Sequence, residues 1–94
     1  MIKYYEENFK ILEKAIASID EQKYEKLLEN CYKAIEKGGK VIASGLGKNV
    51  PICEKFVGTM NSYGLPASFL HTNTAVHGDL GIVKDEDVVI LLSK

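Results

Sequence analysis

The sequence contains no arginine and no tryptophan, and neither glycine nor proline occurs before Gly38. All twelve cations are lysines, so any anion this chain binds is held without guanidinium forks. Thirteen Asp and Glu leave a net charge of −1, and with no basic surplus neither nucleic acid nor a membrane surface is an expected partner. Long apolar runs are missing as well. The longest, Val88 to Leu92, is far too short to cross a bilayer. The start, Met1-Ile2-Lys3-Tyr4-Tyr5-Glu6-Glu7, lacks the apolar stretch of a secretion signal. Cys31 and Cys53 stand alone with no CxxC, so reduced thiols in the cytoplasm are expected. What is present is 94 residues, 46% apolar and 27% charged, which allows one globular unit at most. A chain of this size buries roughly 60–65% of its unfolded surface, enough for one modest core.

Composition shifts at Gly38-Gly39 and divides the chain into a helix pair, residues 1–37, and a strand-bearing segment, residues 38–94. Ile2, Tyr5, Phe9, Leu12, Ile16 and Ile19 recur at steps of three and four and predict one helical stripe. Ser18 or Asp20 caps a second helix, with Glu21 placed for a capping box to Ser18. That helix carries Tyr24, Leu27, Leu28, Cys31, Ala34 and Ile35 on one face and ends at the glycine pair. Lys40-Val41-Ile42-Ala43-Ser44, stopping at Gly45, then reads as a strand buried on both faces. Asn49 or Val50 caps a third helix with Pro51 in its first turn and an inner stripe of Ile52, Phe56, Val57 and Met60. Ala67-Ser68-Phe69-Leu70 is a second strand, His71 to Val83 a loop or short helical turn, and Val88 to Leu92 a third strand. Strand–helix–strand with apolar strands predicts a parallel α/β sheet in the order 2-1-3. The third strand expects cover on both faces, and nothing up to Lys94 supplies it. The chain therefore reads as the N-terminal part of a larger domain, or as one that a partner completes. By the same argument the long stripe of the first helix expects a second subunit.

Two stretches carry groups able to do chemistry. Ser44-Gly45-Leu46-Gly47-Lys48-Asn49 runs from a strand through glycines into a helix N-terminus, a geometry that turns backbone N–H groups toward an anion. It is not a Walker A loop, because Ile42 and Asn49 occupy the positions of its first glycine and its Ser/Thr. Nor is it a full GxGxxG, since Val50 replaces the last glycine. A plain tight turn is the competing reading. The second stretch is His71-Thr72-Asn73-Thr74-Ala75-Val76-His77-Gly78-Asp79, at the C-terminal end of the second strand, where open α/β sheets bind ligands. His77 suits proton transfer near neutral pH. Two alternatives stand beside that reading: His77 and Asp79 as loop anchors, or a metal site of His71, His77 and Asp79 that lacks a fourth ligand. Cys53, in the first turn of the third helix, is placed for a dipole-lowered pKa but has no neighbouring base, and with Cys31 it reads as core.

Taken together, Val41 to Lys48, Phe69-Leu70-His71, His77 to Gly81 and Asp87 to Ser93 resemble a sugar isomerase (SIS) domain. The arabinose-5-phosphate isomerase branch matches best, from about Glu36 to Lys94. The resemblance implies a flavodoxin-like, three-layer αβα parallel sheet, truncated here after its third strand. It also implies a phosphosugar ligand, no cofactor and no metal, and a homodimer or homotetramer through the N-terminal helices. Carried over by position, Ser44, Gly45, Gly47, Lys48 and Asn49 match the first ligand-contacting loop, and Lys48 a substrate-contacting lysine. His77 matches an active-site histidine, and Ser93 the opening of the loop that grips phosphate. Thr74 departs from the branch, which carries an acidic residue there.

The chemistry so implied is aldose–ketose isomerisation of a phosphosugar through an enediol. It calls for a base, an acid/base relay at the oxygens and a phosphate anchor. His77 is the expected relay and Lys48 the group that neutralises oxyanion charge, with the glycine and histidine turns converging on a shared pocket. The base and the rest of the phosphate loop are expected beyond Lys94, so residues 1–94 alone should not catalyse well. A non-catalytic phosphosugar sensor of the same fold is the alternative. A nucleotide-binding α/β domain is disfavoured by Ile42, Asn49 and Val50.

Overall fold

The computed structural model describes residues 1–93; Lys94, the end of the expected strand-bearing segment, lies outside the described residues. The elements are α1 (Ile2–Ala17), α2 (Glu21–Glu36), β1 (Val41–Gly45), α3 (Asn49–Ser62), β2 (Ala67–His71), α4 (Thr72–Val76), a 3-10 turn (Asp79–Ile82) and β3 (Val88–Leu92). The strands pair in parallel in the order β2-β1-β3, as the sequence predicts.

Burial follows that order. Central β1 has partners on both edges and is buried at every position, with Val41, Ile42 and Ala43 fully out of water. The side chains of Val41, Ala43 and Gly45 share one face, because they alternate with Ile42 and Ser44. α3 packs on that face. A Cβ placed on Gly45 would sit 3.0 Å from Asn49 Cβ and 3.2 Å from Cys53 Sγ, so glycine lets helix and strand approach this closely. Among the described residues the opposite face, with Ser44, Leu70, Val89 and Leu91, lines a space shared with α4 and the 3-10 turn. β3 accordingly alternates: Val88, Ile90 and Leu92 are half-buried, whereas Val89 and Leu91 are exposed, Leu91 at 73%. The cover expected on both faces of β3 is present on one.

The helices depart from the sequence reading in what they bury. α1 buries no residue, and Phe9, in the middle of its stripe, is 68% exposed. Ile19 lies beyond the helix end at Ala17. α2 reaches the sheet through Ala34 alone among its buried residues, while Tyr24, Leu27 and Leu28 remain exposed. The radius of gyration, 15.8 Å, exceeds the roughly 12 Å of a compact chain this long, in keeping with an α1 that buries none of its residues. Hydrophobic period identifies the apolar side of a helix without naming what covers it. In α3 the inward residues are Cys53, Val57 and Met60; of the expected stripe, Phe56 is 38% exposed and Ile52 56% exposed. Of the two candidate caps for α2, Asp20 is used, its Oδ1 accepting from Gln22 N–H and Lys23 N–H at 3.0 and 3.2 Å. Ser18 instead donates to its own helix at Ala15 O, which removes it from the expected capping box. α3 begins one residue early, with Lys48 in the cap position and no side-chain cap.

The N-terminal rim of the sheet is closed by one carboxylate. Asp87, with a side chain 2% exposed, accepts from Lys40 Nζ at 2.8 Å, Lys40 N–H at 2.9 Å and Lys84 N–H at 2.8 Å. Lys40 Nζ also donates to Ile82 O at 2.9 Å. Hydrogen bonds from Lys40, foremost, hold the Asp87 carboxyl at about 2, against an ordinary 3.8. The chain approaches itself closely at this rim. A Cβ on Gly39 would lie 2.5 Å from Glu86 O.

Candidate functional site

The opposite, C-terminal rim gathers the residues expected to do chemistry. Gly45 is in register with His71 on one side and with Leu92 on the other. The segments that follow the three strands therefore leave the sheet at one level: Leu46–Asn49 after β1, α4 after β2 and Ser93 after β3. This is the edge at which open α/β sheets take ligands.

In the first segment Gly47 adopts φ +63°, a left-handed conformation that turns the chain sharply into α3. The turn is closed by Asn49 N–H donating to Leu46 O at 3.3 Å and Val50 N–H to Gly47 O at 3.0 Å. Two donors of the helix start are thereby used internally, and Pro51 has none. An anion here would rely on the Lys48 ammonium, which is exposed, more than on a fan of helix amides. Beneath the turn lies Cys53. Burial, and secondarily Glu54, push its thiol up, opposite to the dipole-lowered value the sequence position allows. Burial raises Cys31 as well. Both cysteines are free, as expected.

In the second segment β2 passes directly into α4. His71 caps the helix, its Nδ1 accepting from Asn73 N–H at 3.0 Å, and Thr74 Oγ1 donates to His71 O at 3.0 Å. His77 closes α4 with its N–H on Thr74 O at 3.1 Å, and Gly78 at φ +125° turns the chain away. His77 and Asp79 are exposed. Among the described residues no three of His, Cys, Asp or Glu are grouped to hold a metal ion, so His71, His77 and Asp79 do not form a ligand set.

A cavity of about 300 Å³ lies between the segments, walled by Ser44, Leu70, Thr72, Val76, Leu80 and Leu91 with neighbouring apolar side chains. Ser44, 5% exposed, is the buried polar group of this wall, and its Oγ lies 3.3 Å from Thr72 Oγ1. Among the described residues expected at the site, Ser44 lines this cavity, and Lys48 and His77 are not part of its wall. Thr72 and the capping role of His71 escaped the sequence reading, since a histidine is not among the usual N-caps.

No protein-family model matches the chain. Arabinose 5-phosphate isomerase GutQ of Salmonella typhi is 47% identical over 55 residues, 58% of this chain and 17% of that protein. Among solved structures, a candidate phosphosugar isomerase involved in capsule formation from Bacteroides fragilis superposes over 100% of this chain and 50% of its own. The TM-score is 0.85 and the identity 36%. An Escherichia coli CFT073 protein, solved in complex with arabinose 5-phosphate, superposes over 99% of this chain and 48% of its own, with TM-score 0.82 and 34% identity. The chain thus spans about half the length of these solved proteins and, at 17%, a much smaller share of GutQ. It therefore has the fold of the phosphosugar isomerase (SIS) domain over the part of that domain that it spans.

Proposed function

We propose that this chain is part of a phosphosugar isomerase that interconverts an aldose and a ketose phosphate through an enediol. The observation that carries the reading is the register of Gly45 with His71 and Leu92, which puts three loop starts along one sheet edge. Residues 38–94 form the sheet-bearing part of the domain in this reading. Ser44, Gly45, Gly47, Lys48 and Asn49 bind the sugar phosphate, and Ser93 begins the grip on the phosphate. His77 relays a proton between the sugar oxygens, and the Lys48 ammonium neutralises the charge that develops on them. Imidazole suits this relay because it gains and loses a proton near neutral pH. The named activity of GutQ and the ligand of the E. coli complex make arabinose 5-phosphate the first substrate to test.

The uncovered stripe of α1 supports assembly through the N-terminal helices as a homodimer or homotetramer. Among the described residues no helix is long and apolar enough to cross a membrane. The two free thiols fit a reducing cytoplasm.

The test is isomer exchange. The full-length protein is incubated with arabinose 5-phosphate in deuterated water and followed by NMR. Appearance of the ketose with deuterium beside the carbonyl supports the enediol route. Saturable binding without exchange favours the sensor reading, and neither binding nor exchange overturns the proposal.

A further inference from the structure

We propose that His71 is the positioning residue for His77, acting through α4; this rests on the proton-relay reading of His77. A five-residue helix does not sustain itself in water, so α4 depends on what anchors its first turn. His71 is that anchor. As the last residue of β2 it is fixed by the sheet, with extended φ −68° and ψ 129°. Its ring is half-buried and edge-on to Phe69, with centroids 6.1 Å apart and planes at 90°. From there Nδ1 accepts the Asn73 N–H at 3.0 Å. Thr74 completes the link: its hydroxyl donates to His71 O, and its carbonyl receives the His77 N–H at 3.1 Å. Two histidines six positions apart are thus joined through a single residue.

The bond fixes the chemistry of the ring. An accepting Nδ1 leaves the proton of neutral His71 on Nε2. A second proton, on Nδ1, removes the acceptor and sets a positive charge against the positive end of α4. The elements around it carry Lys48 after β1, Glu54 and Lys55 on α3, His77 at the far end of α4 and Asp79 on the 3-10 turn. Among the described residues none of these is hydrogen-bonded or ion-paired to the imidazole.

The experiment compares His71→Ala and His71→Asn in the full-length protein, since Asn is a strong N-cap that does not titrate. Amide hydrogen exchange at His77 reads the positioning independently of turnover. His71→Ala is expected to speed that exchange about fivefold, the loss of one cap, and to lower kcat about tenfold with KM nearly unchanged. His71→Asn is expected to restore both, a rescue that the loss of a merely structural contact would not give. Exchange at His77 unchanged in His71→Ala, or equally fast in both variants, overturns the proposal. If the unmodified protein isomerises no phosphosugar, the exchange comparison still decides the His71 link, and only the function reading fails.

Discussion

Ser44 Oγ and Thr72 Oγ1 stand 3.3 Å apart, joining the end of β1 to the start of α4 across the mouth of an apolar cavity. Ser44 is buried, and this is the side-chain bond its hydroxyl makes. Thr72→Val, which keeps the shape and removes the hydroxyl, should therefore cost about 1 kcal/mol, whereas Thr72→Ser should cost much less. Urea denaturation of the three proteins checks this, and equal midpoints for Val and Ser would count against the bond.

Lys48 and His77 make no side-chain bond among the described residues, and both are exposed. Their replacement should leave the fold alone and act on turnover. Lys48→Ala is expected to lower kcat by about 10²-fold, through lost charge stabilisation, and His77→Ala by about 10²–10⁴-fold, through the lost relay. Steady-state kinetics alongside circular dichroism checks both. Near-normal turnover in either variant removes that residue from the mechanism.

The Asp87 carboxyl has a folded pKa of about 2, below its ordinary 3.8. A value depressed by folding contributes stability that is complete above about pH 4 and lost as the pH falls toward 2. Asp87→Asn is expected to cost about 2 kcal/mol at neutral pH, since it weakens three charge-assisted bonds. The gap to the unmodified protein should narrow between pH 4 and pH 2. Denaturant midpoints across that range test this, and parallel pH curves for the two proteins would refute it.

On α1 the apolar stripe Ile2, Tyr5, Phe9, Leu12 and Ile16 faces solvent in the single chain. A helix with no buried residue gains little from its own chain, so assembly is expected to supply the cover. The full-length protein should sediment as a dimer or tetramer, and Phe9→Glu with Leu12→Glu should reduce the mass to that of a smaller species. A monomer at micromolar concentration without substitution would end this assembly proposal.

Particular residues show why some of this was legible and some was not. The strands and their 2-1-3 order could be read because Lys40 to Ser44 and Val88 to Leu92 break the helical period with short apolar runs. Gly38 and Gly64, with φ of +88° and +77°, marked helix ends by the backbone freedom such ends require. Cys53, read as core, is the buried residue of α3, at the approach where a Cβ on Gly45 would lie 3.2 Å from its Sγ. By sequence alone Lys84-Asp85-Glu86-Asp87 is a charged turn into the third strand. The partner that buries its last carboxylate, Lys40, lies 47 residues away, beyond the reach of any local pattern. The rim of the candidate site was legible from strand ends alone. The wall of its cavity was not, because Thr72 gains its role only from the sheet register that brings it to Ser44.

The bond between Lys40 and Asp87 also bears on the order in which the sheet assembles. β1 and β2 are joined through one helix, whereas β3 must return across a far longer stretch of chain to find the other edge of β1. Closing the longer loop costs more entropy, so the β1–α3–β2 unit should nucleate and β3 should arrive last. On arrival an apolar strand has little to tell one alignment from a slipped one. The Asp87 carboxylate, which in this register accepts from the Lys40 ammonium and the Lys40 N–H together, favours the final pairing over a slipped one.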